Sequence, residues 1–186
     1  LIQRGRLVGL LTNYYERQRI LKDPRGAEKL GVDPNQHGNA IVPRNGFRFG
    51  AGGGRQFSVQ AAVAPTNAVV QGGDQSLEEL IATVKDGLLI GRIWYTYPIN
   101  GLRAGDFTCT VVGDSYIIKD GRITTPLKPN TVRINDNIHT ILSNILAIGK
   151  EVKGTLVWAA DEVVYTPEIA VRGVKIDEIA SFMERL

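Results

Sequence analysis

Apolar and polar residues alternate along most of this chain in short runs, broken by glycine, proline, asparagine and aspartate. A period of two marks half-buried strands. Leu1-Ile2-Gln3, a break at Arg4-Gly5, then Arg6-Leu7-Val8-Gly9-Leu10-Leu11 reads as a hairpin. The chain opens inside that first strand and without an initiator Met, which reads as an excised domain or a processed product. The densest block runs from Gly87 through Trp94 to Asn100, then Gly105-Asp106-Phe107, and through residues 119–123 to Pro126-Leu127-Lys128. It reads as three consecutive strands, the last two joined by Asp120-Gly121. Asp-Gly between apolar segments is a strong hairpin signal because both turn residues must adopt positive φ. In the first of these strands, strict alternation would put Trp94 on one face with Arg92 and Thr96, and Ile93, Tyr95 and Tyr97 on the other.

Helical spacing interrupts the strands. Ser76 and Glu79 form a Ser-x-x-Glu capping box, and Leu77, Leu80, Ile81 and Val84 then fall on one face. Gly87 is the expected left-handed cap of that helix. Ile138, Ile141, Leu142, Ile145 and Ile148 predict a second helix over 138–148, started by Asn135, Asp136 or Asn137 and ended by Gly149. Residues 155–159, 163–165 and 169–174 read as strands, and 177–186 as a closing amphipathic helix with Ile179, Phe182, Met183 and Leu186 inward. Residues 14–20 read as a short helix or an irregular turn. Residues 22–54 lack periodicity and carry turn signals at Asp23-Pro24, Asp33-Pro34-Asn35 and Pro43-Arg44-Asn45-Gly46, which reads as a long functional loop. The expected fold is α+β, a mostly antiparallel β-sheet with two or three packing helices, in one domain spanning 1–186.

Composition narrows the class. Hydrophobic residues make up 43% and charged residues 22%, as in an ordinary globular chain. No apolar run is long enough for a membrane span, and the first residues do not form a secretory signal. A lone cysteine, Cys109, excludes an intramolecular disulfide and fits a reducing, cytoplasmic setting. The formal charge is +3, but residues 1–60 hold ten Lys or Arg against four Asp or Glu. That basic N-terminal half leaves open a nucleic-acid-associated binding module, although no stacked Arg/aromatic module supports one.

The chemistry-bearing residues are few. His37, His139 and Cys109 are the borderline or soft metal ligands, and none has a partner at ligand spacing. No serine sits in a Gly-x-Ser-x-Gly elbow. Gly50, Gly52, Gly53 and Gly54, followed by Arg55, lack the Lys-Ser/Thr ending of a phosphate loop and read as a flexible loop or as a place where another backbone passes closely. Cys109, between Thr108 and Thr110, reads as a small core residue.

An ordered series of short motifs resembles the C-terminal domain of the TldD/PmbA family, a family of proposed metallopeptidases also labelled modulators of DNA gyrase. The opening Leu1 to Gly9 is similar to the family's Leu-Ile-x-x-Gly-x-Leu-x-Gly strand pair, and His37-Gly38-Asn39-Ala40 to its Thr-Gly-Asn-Ala. Ala64-Pro65-Thr66-Asn67 resembles Arg-Pro-Thr-Asn, and Gly73-Asp74 with residues 76–81 resembles Gly-Asp-x-Ser-x-Glu-Glu-Leu-Ile. Asn100, Gly105-Asp106-Phe107, Gly121, Ile123 and Pro126 continue the order to about Val174.

The resemblance implies that the His-Glu-x-x-x-His helix of active members would lie before Leu1, its presence there marking a peptidase parent and its absence a partner subunit. It implies zinc only in the full-length protein or its partner, homo- or heterodimers with a TldD/PmbA-type subunit, and unfolded peptide as substrate. The late cysteine ligand of one branch has no counterpart in residues 153–161, which places the chain nearer the PmbA-like branch. No catalytic or metal residue, no membrane and no nucleic acid are expected for this chain. The rival enzyme reading completes a site with His37, Cys109 or Asp106. The glycine loop from Gly50 to Arg55 is the expected peptide-binding or gating element, and Asn39, Pro65, Thr66, Asn67, Gly105, Asp106 and Phe107 are the family-motif positions.

Overall fold

A computed structural model describes residues 1–50, 54–156 and 163–179. The chain divides into two compact units, Leu1–Val69 with Gly154–Tyr165, and Val70–Lys153 with Thr166–Leu186.

In the first unit, β1 (Ile2–Gln3) and β2 (Arg6–Leu7) pair antiparallel. Arg4 and Gly5 between them both take positive φ, as a two-residue turn with this twist requires. Asn13 then caps α1 (Tyr14–Lys22), its side-chain oxygen accepting from the Glu16 N–H at 2.8 Å. The expected loop over 22–54 is not structureless. An Asx turn, in which the Arg25 N–H donates to Asp23 Oδ1, leads into α2 (Gly26–Leu30), which ends at a left-handed Gly31. A 3-10 turn follows at Gly38–Ile41. Short-range side-chain bonds, which carry no hydrophobic period, organise this segment. Next, β3 (Gly46–Phe47) pairs antiparallel with β4 (Ala62–Val63), and β5 (Asn67–Val69) runs parallel to Val163–Tyr165.

The second unit begins with α3 (Leu77–Val84). Its capping box is complete: the Glu79 N–H donates to Ser76 Oγ at 3.2 Å, and the Ser76 N–H donates to Glu79 Oε2 at 2.7 Å. Leu80 and Ile81 are buried. The helix ends at Lys85 (φ +63), two residues before the expected cap Gly87. Gly87 instead opens β6 (Gly87–Leu89), where a Cβ would lie 2.9 Å from Val84 Cγ1. The tip of the predicted hairpin closes the helix end, since the Gly121 N–H donates to the Lys85 carbonyl at 2.8 Å.

The strand block contains five strands where three were expected: β6, β7 (Ile93–Pro98), β8 (Asp106–Val111), β9 (Tyr116–Lys119) and β10 (Arg122–Pro126). Asp120 (φ +50) and Gly121 (φ +72) form the two-residue turn between the last two. Then come β11 (Val132–Asn137), α4 (Ile138–Ser143), β12 (Ile145–Leu156), β13 (Val163–Val171) and β14 (Ile176–Glu178). One sheet has the order β10-β9-β6 and another β14-β11-β8-β7. The pairings of both are antiparallel, and with the helices they make the fold α+β.

Asn137 starts α4, one of the three caps expected, but the helix stops at Asn144 rather than at Gly149. Long-range pairing overrides helical spacing here. The Gly73 N–H donates to Gly149 O at 2.8 Å and the Lys150 N–H to Gln75 O at 2.7 Å, drawing Ile148 and its neighbours into a strand. A Cβ on Gly73 would stand 2.3 Å from the Ile148 carbonyl oxygen, so that position admits only glycine. Asp177 lies in β14 and not in a closing helix; the rest of that expectation, residues 180–186, falls outside the described residues, as do 157–159 of the strand expected over 155–159. The strand expected over 169–174 is the end of β13 and stops at Val171.

The core of the second unit is Cys109, Val111, Val132 and Ile134, with Ile90, Phe107, Leu127 and Val174 against it. Beside it lies a cavity of about 960 Å³, walled by apolar side chains of α3, β6, β8, β9, β11, α4, β12 and the C-terminal part of β13.

Candidate functional site

The most exposed aromatic surface of the second unit is β7. It is the last strand of its sheet, bonded to β8 alone among the described strands, and all six of its residues are exposed. Alternation predicts one buried and one open face, and the structure departs from this at Tyr95. That residue has φ +50, and the register with β8 shifts between Trp94 and Tyr97. A positive φ is uncommon for a bulky aromatic residue, and the irregularity turns the strand so that its rings gather. Trp94 and Tyr95 meet edge to face at 5.4 Å, and Tyr95 and Tyr97 stack at 6.0 Å. Pro98, with no N–H to donate, ends the strand.

The loop after β7 is fixed by the Gly105-Asp106-Phe107 motif, and each residue has a separate reason to be there. Gly105 has φ +80, and a Cβ there would lie 2.9 Å from His139 Cδ2 and 3.1 Å from Ile138 Cγ2. Its carbonyl accepts from the Ile138 N–H at 2.9 Å. Asp106 accepts from Asn100 Nδ2 and from Asn137 Nδ2, both at 2.8 Å. Those two bonds hold its carboxyl below the ordinary carboxylate range, the Asn100 bond contributing most. Asn137 Nδ2 also donates to Ala104 O, and its Oδ1 accepts from the His139 N–H, so every polar atom of that side chain is engaged. Phe107 packs on the core and lines the cavity.

The other predicted positions belong to the first unit. The glycine run lies in sequence between β3 and β4, and Gly50 and Gly54 are its described glycines. The Gly50 N–H donates to Gly54 O at 3.0 Å, Phe49 bridges Arg55, and Gly54 has φ +78. Gly52 and Gly53 lie outside the described residues. Arg48 braces the returning limb by donating to the carbonyls of Phe57 and Val59, which leaves the Phe57 ring 89% exposed. Asn39 is exposed in the 3-10 turn, while Ala40 O accepts from the Leu10 N–H and ties that turn to the opening hairpin. Pro65 and Thr66 are half-buried, and Thr66 O accepts from the Val163 N–H where Asn67 starts β5.

The predicted residues therefore fall into two groups, one in each unit. Two features escaped the sequence reading. The full exposure of β7 depends on Tyr95 φ, which leaves no trace in the pattern. The cavity does leave one: Leu77, Leu80, Ile81 and Val84 line it, and the sequence shows them as the apolar face of one helix.

A family model for the PmbA/TldA metallopeptidase C-terminal domain matches residues 1–178. The chain belongs to the TldD/PmbA family. Two solved structures share the fold. TldE from Thermococcus kodakarensis aligns with 21% identity and a TM-score of 0.58, over 83% of this chain and 30% of that one. A protein from Thermotoga maritima described as a candidate modulator of a DNA gyrase aligns with 22% identity and a TM-score of 0.50, over 83% of this chain and 29% of that one. This TldD/PmbA domain thus spans under a third of either relative. No match is found among curated proteins.

The family model is that of a metallopeptidase domain, and a bound metal requires a gathered set of donors. Among the described residues no three His, Cys, Asp or Glu side chains gather as a metal would require. His37 is exposed in the first unit, and His139 is exposed at the start of α4. Cys109 is 1% exposed in the core, and burial pushes its thiol pKa up, away from the thiolate that metals bind. These residues do not fit a zinc ion. No described helix is long and apolar enough to cross a membrane.

Proposed function

We propose that this chain is a non-catalytic C-terminal domain of a TldD/PmbA-type peptidase, acting in assembly with a second TldD/PmbA-type subunit and in capture of unfolded peptide. The observation that carries the reading is β7, an edge strand exposed along its whole length and bearing three clustered aromatic rings. A sheet edge offers main-chain groups to an extended chain with little regard to its sequence. Aromatic rings add contact area at low entropic cost. The bulge at Tyr95 and the terminal Pro98 keep the edge short, which limits pairing between copies of the edge itself. The segment with Gly50, Gly54 and Arg55 serves as a gate on peptide entry. Metal chemistry, in this reading, belongs to other parts of the parent protein or its partner.

The test is fluorescence anisotropy of a labelled unstructured peptide titrated with the chain. Binding that Tyr97→Asp and Trp94→Ala each weaken, with unchanged circular dichroism, supports the proposal. A folded chain that binds no unstructured peptide, or binds it equally well with both substitutions, overturns it. Deleting residues 50–54 should lower peptide binding or shift the oligomeric state measured by light scattering; no change in either removes the segment from the mechanism.

A further inference from the structure

We infer that β7 prefers unfolded peptides that contain proline, with one pyrrolidine ring seated against Trp94, Tyr95 and Tyr97. The inference rests on peptide capture at this edge and adds a preference at one position. Register locates that position. From Trp94, opposite Thr110, to Tyr97, opposite Thr108, β7 takes three steps while β8 takes two. Tyr95 and Thr96 thus share the place across from Cys109, a β-bulge in which Tyr95 is left-handed at φ +50. On the outer edge the bulge interrupts the regular alternation of ladder groups, and Pro98 has no N–H to offer. An ordinary peptide residue lying across the bulge is left with an unpaired N–H as the rings cover it, which costs free energy. Proline has no N–H to leave unpaired, and its fixed φ reduces the entropy lost on binding. For the same reason proline is tolerated at bulges within sheets.

The rings supply the seat. Trp94 and Tyr95 stand at 87° with centroids 5.4 Å apart, and Tyr97 lies at 30° to Tyr95 at 6.0 Å, so the planes form a corner of exposed rings. Proline-bearing segments dock on aromatic surfaces of this kind. Charge does not favour an ion in the corner. Asp114 has Arg92 at 3.2 Å, Asp177 stands across the ladder from Arg133, and Lys175 helps to hold the Asp106 carboxyl down. A lysine or a glutamate there meets both signs of charge, while a neutral ring keeps the full apolar contact.

The experiment titrates labelled unstructured peptides of equal length with the chain and reads fluorescence anisotropy. The peptides differ only at a central pair of residues, which is Pro-Pro, Ala-Ala or Lys-Lys. The proline peptide should bind about tenfold tighter than the alanine peptide, and the lysine peptide no tighter than the alanine one. Tyr95→Asn keeps the left-handed bulge, which asparagine tolerates, and removes the ring; it should cut the proline preference to about twofold or less. Tyr95→Phe keeps the ring and should keep the preference. Circular dichroism checks that both variants fold; if either does not, the ranking of the three peptides by the parent chain still decides. Equal affinity for the proline and alanine peptides, or tighter binding of the lysine peptide, overturns the inference and leaves peptide capture standing. A proline preference that survives Tyr95→Asn overturns the seat at these rings. Binding of none of the peptides overturns peptide capture itself, and the inference with it.

Discussion

Replacing Gly105 by alanine separates two reasons for a glycine in the motif after β7. The first is conformational. At φ +80, a Cβ costs about 1 kcal/mol relative to glycine. The second is steric, because the new Cβ would sit 2.9 Å from His139 Cδ2 and 3.1 Å from Ile138 Cγ2. Overpacking of this kind adds about 1–3 kcal/mol, here at the low end because His139 is exposed and can move aside. Gly105→Ala should therefore destabilise the chain by roughly 2 kcal/mol in urea unfolding, with m unchanged. A double-mutant cycle with His139→Ala divides the total. Removing the imidazole leaves the φ cost and the Ile138 contact, so His139→Ala should recover part of the loss, about 0.5–1 kcal/mol of coupling. If Gly105→Ala is neutral, the left-handed conformation assigned to this residue is wrong. If the loss is present but the coupling is zero, the close approach to His139 is wrong and the φ cost with the Ile138 contact accounts for the loss.

Further outcomes follow from the same geometry. Ser76→Ala removes the cap of α3 and should cost about 1 kcal/mol, read as a lowered thermal midpoint. Asn137→Ala removes the bonds to the Ala104 carbonyl, one Asp106 oxygen and the His139 N–H together; with Ala104 and His139 exposed, it should cost about 0.5–1.5 kcal/mol, and no measurable loss would show that water replaces the amide freely. Because Asp106 has its carboxyl pKa lowered on folding, the unfolded chain binds more protons once pH drops toward the ordinary value near 4. Its contribution to stability is present above that value and is lost as pH falls through the depressed folded pKa. A pH series of melting curves from 6 down to 2.5 should show a shallower acid limb for Asp106→Asn than for the parent, and coincident limbs would refute the assignment. Gly73→Ala drives a Cβ into the Ile148 carbonyl oxygen and should prevent a cooperative unfolding transition.

What could be read from the sequence was whatever local chemistry decides. The Asp120-Gly121 turn needs positive φ at both positions, and the residues announce it; in the Arg4-Gly5 turn only Gly5 does. The Ser76–Glu79 box needs only four consecutive residues. Where the decision is made at a distance, the pattern misleads. Ile138 to Ile148 has helical spacing throughout, yet only the bonds from Gly73 and Gln75 reveal that its second half is a strand. Gly87 looks like a helix cap because the next strand and its pairing with β9 are invisible locally.

The candidate site follows the same division. Gly105-Asp106-Phe107 is legible as a motif, but its physical content is not: a backbone turned left-handed, a carboxylate held by two asparagines, and a ring against the core. Tyr95 is the sharpest case. A tyrosine in a run of Ile, Trp, Tyr and Thr has every local reason to stay extended, and it does not. Strain of about 1–3 kcal/mol persists at such a residue only where the surrounding structure imposes it. The ladder to β8 does so on one side, through the register shift between Trp94 and Tyr97. On its other side β7 faces no described strand, and there the displaced ring completes an aromatic cluster open to solvent. The ring contacts to Trp94 and Tyr97 offset part of that strain, and the exposed surface they leave is the feature on which the peptide-capture proposal rests.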